Sequence, residues 1–296
     1  MQPLPEETLH DPIETGPYRM AMGLTAASER DWFEIDTLYP SEMGEKRRLL
    51  AERHADVFAV TPGSAAACTE ALAMIAAHLT ARYPDWFSAT GSLLSNGLTG
   101  ETWNRPSIDP LELAGRLVQE DLCIIQNGPE GPVFTAGVLC FPSRWRLTEK
   151  IGRPLSAVHG PVPLYAERLS GPVDRFMRHL KPERIASRLN WSVVDDPALF
   201  QPGGKWRRDR NGAVTAQNAG EKLFVRAERQ TLRLLPDSGA VLFGIRVHVY
   251  PLQHVAPARL AEAVRALPDE IAHYKSLPSF RTALLTWLDN AQGPSP

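Results

Sequence analysis

His159 stands in the run Val158-His159-Gly160-Pro161-Val162-Pro163. Prolines fix φ, so this loop is stiff and can hold an imidazole in one orientation. A metal or haem iron needs that, because a neutral ring nitrogen must meet the metal along a fixed axis. The plainer reading is a histidine in a rigid surface turn, since one histidine without partners is a weak signal. Just upstream lie Phe141-Pro142-Ser143-Arg144-Trp145 and Glu149-Lys150-Ile151-Gly152, which make this the densest unusual stretch of the chain.

Two further constellations could bind a charged ligand. Read as a strand, Arg188-Leu189-Asn190-Trp191-Ser192 puts Arg188, Asn190 and Ser192 on one face and Leu189 and Trp191 on the other. Arg188 could offer a carboxylate, such as a haem propionate, planar bidentate donors. Otherwise the face is a solvated stripe with Trp191 in the core. In Arg226-Ala227-Glu228-Arg229-Gln230-Thr231-Leu232-Arg233, the residues Arg226, Glu228 and Gln230 share one face, and Arg229 and Arg233 the other. Arg246 and His248 stand on the polar face of the next apolar run. Charged side chains crossing a sheet mean either a solvated face or a lined pocket.

Weaker candidates accompany these. Trp32-Phe33-Glu34-Ile35-Asp36 with Tyr39 sets carboxylates beside aromatics, where a carboxyl pKa can rise, although a strand end is the simpler reading. Lys205-Trp206-Arg207-Arg208-Asp209-Arg210 fits either an acidic protein partner or a solvated loop. His10, His54, His78, His179, His248, His254 and His273 show no metal-ligand spacing, and His78 and His179 are expected on helix surfaces.

Composition excludes several classes. The 296 residues are 43% hydrophobic and 22% charged with a formal charge of −2, so bulk binding to nucleic acid or anionic membrane is not expected. Cys68, Cys123 and Cys140 cannot form a Cys-x-x-Cys zinc site or a four-cysteine cluster, and they fit a reducing compartment. The acidic, Pro-rich residues Met1 to Pro12 do not read as a signal peptide, and no apolar run approaches a membrane span. A cytoplasmic location is expected. No dinucleotide or phosphate-loop fingerprint, H-E-x-x-H or G-x-S-x-G is present.

The elements that must position these residues follow from periodicity. A helix is expected after Ser64, with Leu72, Ile75 and Leu79 on one face and an end at Tyr83-Pro84. Residues 88–107, punctuated by Gly91, Gly97, Gly100 and Pro106, read as loop. Asp109-Pro110-Leu111-Glu112 is a strong helix start, with the helix running to about Glu120. A helix lies between Leu164 and Leu180, with Gly171-Pro172 as a possible break, and the residues from Gln201 to Glu221 read as a loop. Strands are expected at Leu122 to Gln126, Val133 to Phe141, Ser187 to Val194, Leu223 to Leu235 and Ala240 to Leu252. Pro236-Asp237-Ser238-Gly239 joins the last two, and helices close the chain, the last over about Phe280 to Ala291. About five strands with helices before, between and after them give an α+β fold with a mostly antiparallel sheet, taken as one domain over 1–296.

These segments together resemble the alpha subunit of haem-dependent oxidative N-demethylase and its broader bacterial family. The resemblance rests on Trp32 through Tyr39, Gln119-Glu120-Asp121-Leu122, Phe141-Pro142-Ser143-x-Trp145 and Glu149-Lys150-Ile151-Gly152. It continues through His159-x-Pro161-Val162-Pro163, Arg188-x-Asn190-Trp191 and Arg226-x-Glu228-Arg229-Gln230-Thr231-Leu232, in the family's order. It implies a PAS-like antiparallel sheet flanked by helices and a haem b whose iron is held by a histidine. His159 is the one histidine inside a family motif.

The implied activity is O₂-dependent removal of a methyl group from a small secondary amine, a monooxygenase-type oxidation. Electrons would come from NADPH through FMN and 2Fe-2S centres on reductase or ferredoxin-type partner subunits. On this reading His159 is the metal ligand, Arg188, Asn190 and Arg226 bind the cofactor, and Glu228 is catalytic. The competing reading is a PAS-like sensor that holds haem or another small ligand without turnover, because a family does not fix chemistry.

Overall fold

The computed structural model describes residues 3–129, 131–204, 206 and 209–291. Ten strands are present among them: β1 (Thr25–Ala27), β2 (Phe58–Val60), β3 (Phe87–Thr90), β4 (Leu93–Asn96), β5 (Glu101–Asn104), β6 (Asp121–Gly128), β7 (Gly131–Val138), β8 (Ile185–Val194), β9 (Phe224–Leu234) and β10 (Val241–Pro251). Seven of them form one sheet in the order β1-β8-β9-β10-β6-β7-β2, with every neighbouring pair antiparallel. The five long expected strands, β6 to β10, are its contiguous centre.

The α+β class stands, but the five-stranded PAS-like sheet does not. The main sheet gains three-residue strands at both edges, and β3-β4-β5 form a second, three-stranded sheet within the stretch read as loop. Strands of three or four residues carry too little alternation to register as period-two signals. Gly91 and Gly100, at φ of 59° and 72°, turn the chain beside these strands and supplied the loop-like punctuation.

Register sorts the chemistry onto two faces. Glu228 lies opposite Asn190 on one side and Val247 on the other. Arg226 lies opposite Ser192, and Gln230 opposite Arg188. Residues opposite one another point to the same side of a sheet. Arg188, Asn190, Ser192, Arg226, Glu228 and Gln230 therefore share one face, while Arg229, Arg246 and His248 occupy the reverse.

The helices follow their signals with local exceptions. The helix Ala65–Arg82 begins where expected, but the Ser64 hydroxyl donates to the Thr61 carbonyl instead of capping it. Its His78 is buried against Trp32 and Phe33, with ring centroids 5.3 and 5.8 Å apart, not on the surface as expected. An apolar neighbour on the preceding segment covers that helix face. The single helix expected at 164–180 is two, Tyr165–Arg168 and Ser170–His179, divided at Leu169. Pro172 falls in the first turn of the second, where its missing N–H leaves no helical bond unmade.

Asp109 caps the helix Pro110–Gly115, accepting from the Leu111 and Glu112 amides at 2.8 and 3.4 Å. That helix stops short of Glu120 because Val118 and Glu120 turn their carbonyls to the buried Lys46 ammonium, at 3.0 and 2.6 Å. Asp109→Ala should cost about 1 kcal/mol of stability and Asp109→Asn far less. Urea unfolding of the two variants checks this, and equal midpoints would show that the cap contributes nothing.

Candidate functional site

A cavity of about 710 Å³ opens on the Glu228 face of the main sheet. Its floor is β6 to β10, and its walls are the N-terminal segment 12–24, the helices around 155–177 and the C-terminal helices. Ile125, Phe134, Phe141, Phe176, Leu232 and Phe243 give it an apolar lining. Every residue expected to bind or react, His159, Arg188, Asn190, Arg226 and Glu228, lies on its wall. A volume of this size, mostly apolar with a few convergent polar groups, is the usual form of a cofactor or small-molecule site, for which about 300–1,000 Å³ is typical.

Glu228 is held from three sides. Its Oε1 accepts from the Ser143 hydroxyl, and its Oε2 accepts from Gln230 Nε2 at 2.8 Å and Asn190 Nδ2 at 3.3 Å. Burial opposes its charge, but the Ser143 hydrogen bond, the Arg226 guanidinium and the two amides outweigh burial and keep it below the ordinary carboxylate range. Glu228 is therefore an ionised, oriented carboxylate at neutral pH.

Arg226 is 1% exposed and spends its donors on the chain around this carboxylate. Its Nε donates to Ser143 Oγ at 2.7 Å, Nη1 to the Ala198 carbonyl at 3.1 Å, and Nη2 to the Phe141 and Leu199 carbonyls at 2.8 and 3.0 Å. From the other end, Asp121 accepts from the Cys140 and Phe141 amides at 2.8 and 2.7 Å. The Phe141-Pro142-Ser143 segment is thus clamped between strands β6 and β9. Arg144 follows at φ 61°, a left-handed turn unusual for a residue with a side chain. These contacts aim Ser143 at Glu228.

His159 caps the short helix Leu155–Val158. Its Nδ1 lies 2.9 Å from the Leu155 carbonyl, and its ring stacks on Tyr165 at 4.5 Å and 13°. A carbonyl only accepts, so Nδ1 carries a proton and donates it to Leu155. This arrangement fixes the ring orientation, as metal-binding histidines require. His159 is the one histidine on the cavity wall among the described residues. Cys123 also lines the cavity, but burial and the nearby Asp121 push its thiol far above its ordinary range. It stays protonated and is a poor competitor for a metal.

Two cations complete the wall. The Arg188 side chain makes no hydrogen bond among the described residues, and its buried Nε has no partner. Burial lowers its pKa, with Glu228 partly opposing the shift, yet a guanidinium remains charged. Lys275 was missed by sequence reasoning. It donates to the Trp191 carbonyl, and burial pushes its pKa down to about 8, so it is charged at neutral pH. No periodicity or motif marks it, because it sits in the turn after the helix Asp269–Tyr274 and reaches the cavity only through tertiary packing.

On the reverse face, Arg246 and the carboxylates of the 32–42 segment form a buried ion-pair framework. Arg246 pairs with Asp36 at 2.8 Å and Glu42 at 2.7 Å, and Gln119 Nε2 donates to both of those carboxylates, at 3.0 and 2.8 Å. Glu120 accepts from the Glu34 amide at 3.0 Å, and burial pushes it up to about 7. The Gln119-Glu120-Asp121 motif is thus buried framework under the cavity. Glu34 moves opposite to the expected rise: burial opposes its charge, but His10, His248 and Arg229 hold it far below the ordinary range. In the basic cluster at 205–210, Lys205, Arg207 and Arg208 lie outside the described residues.

Fold and site together define an α+β protein with an internal cavity whose wall carries one oriented histidine and several cations, Arg188, Arg226 and Lys275 among them. The sequence model of the family described as haem-dependent oxidative N-demethylase, alpha subunit-like, matches residues 23–285, and the chain belongs to that family. The match includes the cavity wall except its N-terminal residues 12–22. No helix among the described residues is long and apolar enough to cross a membrane.

Proposed function

We propose that the cavity holds haem b, with His159 as the iron ligand, in the oxygenase subunit of an oxidative N-demethylase acting on a small secondary amine. The observation that carries this reading is the fixed ring orientation of His159 on the wall of a large, mainly apolar cavity. The family's name supports the haem and the reaction class, and its alpha-subunit description supports separate partner subunits. NADPH, FMN and a 2Fe-2S centre belong on those partners, consistent with three buried cysteines that are apart in the chain and free here.

The residues present fit such a group. Arg188, whose buried Nε lacks a partner, and Lys275 are the cations that would receive its propionates. Arg226 is assigned a different part from the one its sequence suggested: with its donors committed, it positions Ser143 and Glu228. The haem, when bound, supplies the redox and O₂ chemistry. The chain's own residues do the rest. The apolar lining excludes water, and Glu228 attracts a protonated amine and can take a proton at Oε2. Asn190 and Gln230 keep that oxygen in place.

The test is titration of haem-free protein with haemin. One equivalent should bind and give a Soret band, and Arg188→Ala should bind about tenfold more weakly, the loss of one charge-assisted bond. Unchanged affinity in Arg188→Ala would remove it as an anchor, and no stoichiometric Soret band would remove the cofactor assignment.

A further inference from the structure

A second site lies on the opposite face of the same sheet. His248 follows Val247 on β10, so it points away from the Glu228 cavity. Its Nε2 is 3.1 Å from Glu34 Oε2, and His10 Nε2 is 2.8 Å from Glu34 Oε1. One ligand atom from each of the three residues lies within 4.8 Å of the others. His10 and His248 are 238 positions apart in the chain, which is why ligand spacing in the sequence did not reveal them.

We infer that His10, His248 and Glu34 bind one divalent transition-metal cation, with zinc-like preference, which fastens the N-terminal segment to the sheet. The first argument is proton valence. His248 Nδ1 is 2.8 Å from Glu7 Oε1 while its Nε2 faces Glu34, so both nitrogens meet carboxylate acceptors. A neutral imidazole has one N–H and can satisfy only one of them. The other contact needs either a second proton or a cation between Nε2 and Glu34. His10 Nε2 is directed at the same carboxylate, which brings a second imidazole nitrogen to the cluster.

The second argument is ligand chemistry. Two imidazoles and a carboxylate are a common donor set for zinc and its neighbours, with metal–ligand distances of about 2.0–2.2 Å. Spreading the present 2.8 and 3.1 Å contacts around such an ion needs only a small shift within the existing cluster. Glu7 behind His248 is the outer carboxylate that metal-binding histidines usually have. The third argument is charge. Glu7, Glu34 and Arg229, whose Nε is 3.4 Å from Glu34, sum to −1 when ionised. That net negative charge favours a cation at the cluster.

The ion would add to the contacts that already dock this segment, among them Arg259 on Asp11 and the buried Ile13. The His10 amide donates to the Tyr250 hydroxyl at 3.1 Å, and that hydroxyl donates to the Thr8 carbonyl at 3.3 Å. The same segment continues into residues 12–24 of the cavity wall. The site is independent of the haem assignment.

The experiment is titration of chelator-stripped, full-length protein with Zn²⁺ in competition with a chromophoric chelator. One equivalent should bind tightly, and the melting temperature should rise with Zn²⁺. His10→Ala should weaken binding about tenfold or more, because even outer partners of a metal site contribute that much. His10 is partly exposed on the N-terminal segment, so this variant keeps the core. Glu34→Gln, which preserves shape, should weaken binding similarly. Absence of stoichiometric Zn²⁺ binding, or wild-type affinity in both variants, would show a plain imidazolium–carboxylate network and overturn the inference.

Discussion

His159→Ala is expected to lose haem, with affinity falling at least about a hundredfold, since outer-shell partners of a metal ligand alone contribute 10–100-fold. The fold should survive. His159 is half-buried at the end of a four-residue helix, where its side chain bonds the Leu155 carbonyl and stacks on Tyr165. Those contacts are worth about 1 kcal/mol each at most. Haem content after reconstitution, read from the Soret band beside an unchanged far-ultraviolet circular dichroism spectrum, checks this. Wild-type haem content and an unshifted band in the variant would rule His159 out as the ligand.

Glu228→Gln should cut demethylation turnover by 10²-fold or more while leaving haem affinity near that of wild type, the usual scale for a lost proton-transfer group being about 10²–10⁴. The geometry separates the two readouts. Glu228 is not among the cations that would hold the propionates, and its oxygens are fixed by Ser143, Asn190 and Gln230. The glutamine keeps the shape but cannot hold a proton or attract an ammonium. It also turns an NH₂ group toward existing donors, so an unfolding curve should accompany the kinetics. Turnover equal to wild type in a stably folded variant would take Glu228 out of the reaction.

Much of this arrangement could be read from the chain. The strict alternation Val241, Phe243, Ile245, Val247 and Val249 located β10, and alternation in 226–233 split Arg226, Glu228 and Gln230 from Arg229 and Arg233. The rigid Pro-rich run singled out His159. Other features depend on tertiary contacts that no local pattern encodes. Arg226 looked like a ligand anchor because its strand position is right, but only the fold shows its donors spent on the carbonyls of Phe141, Ala198 and Leu199. Lys275 and the His10–Glu34–His248 cluster are assembled from segments far apart in sequence. The edge strands β1 and β2 are too short for periodicity to detect.

A demethylase and a ligand-holding sensor built on this cavity differ in turnover alone. The most direct measurement is a reaction of the haem-loaded chain with a chemical reductant, O₂ and a panel of small secondary amines, with formaldehyde and primary amine quantified. The account predicts equal amounts of both products from at least one amine, with neither formed by His159→Ala. Haem that binds, is reduced and takes up O₂, yet yields no formaldehyde from any amine, would contradict it and leave a binding protein in its place.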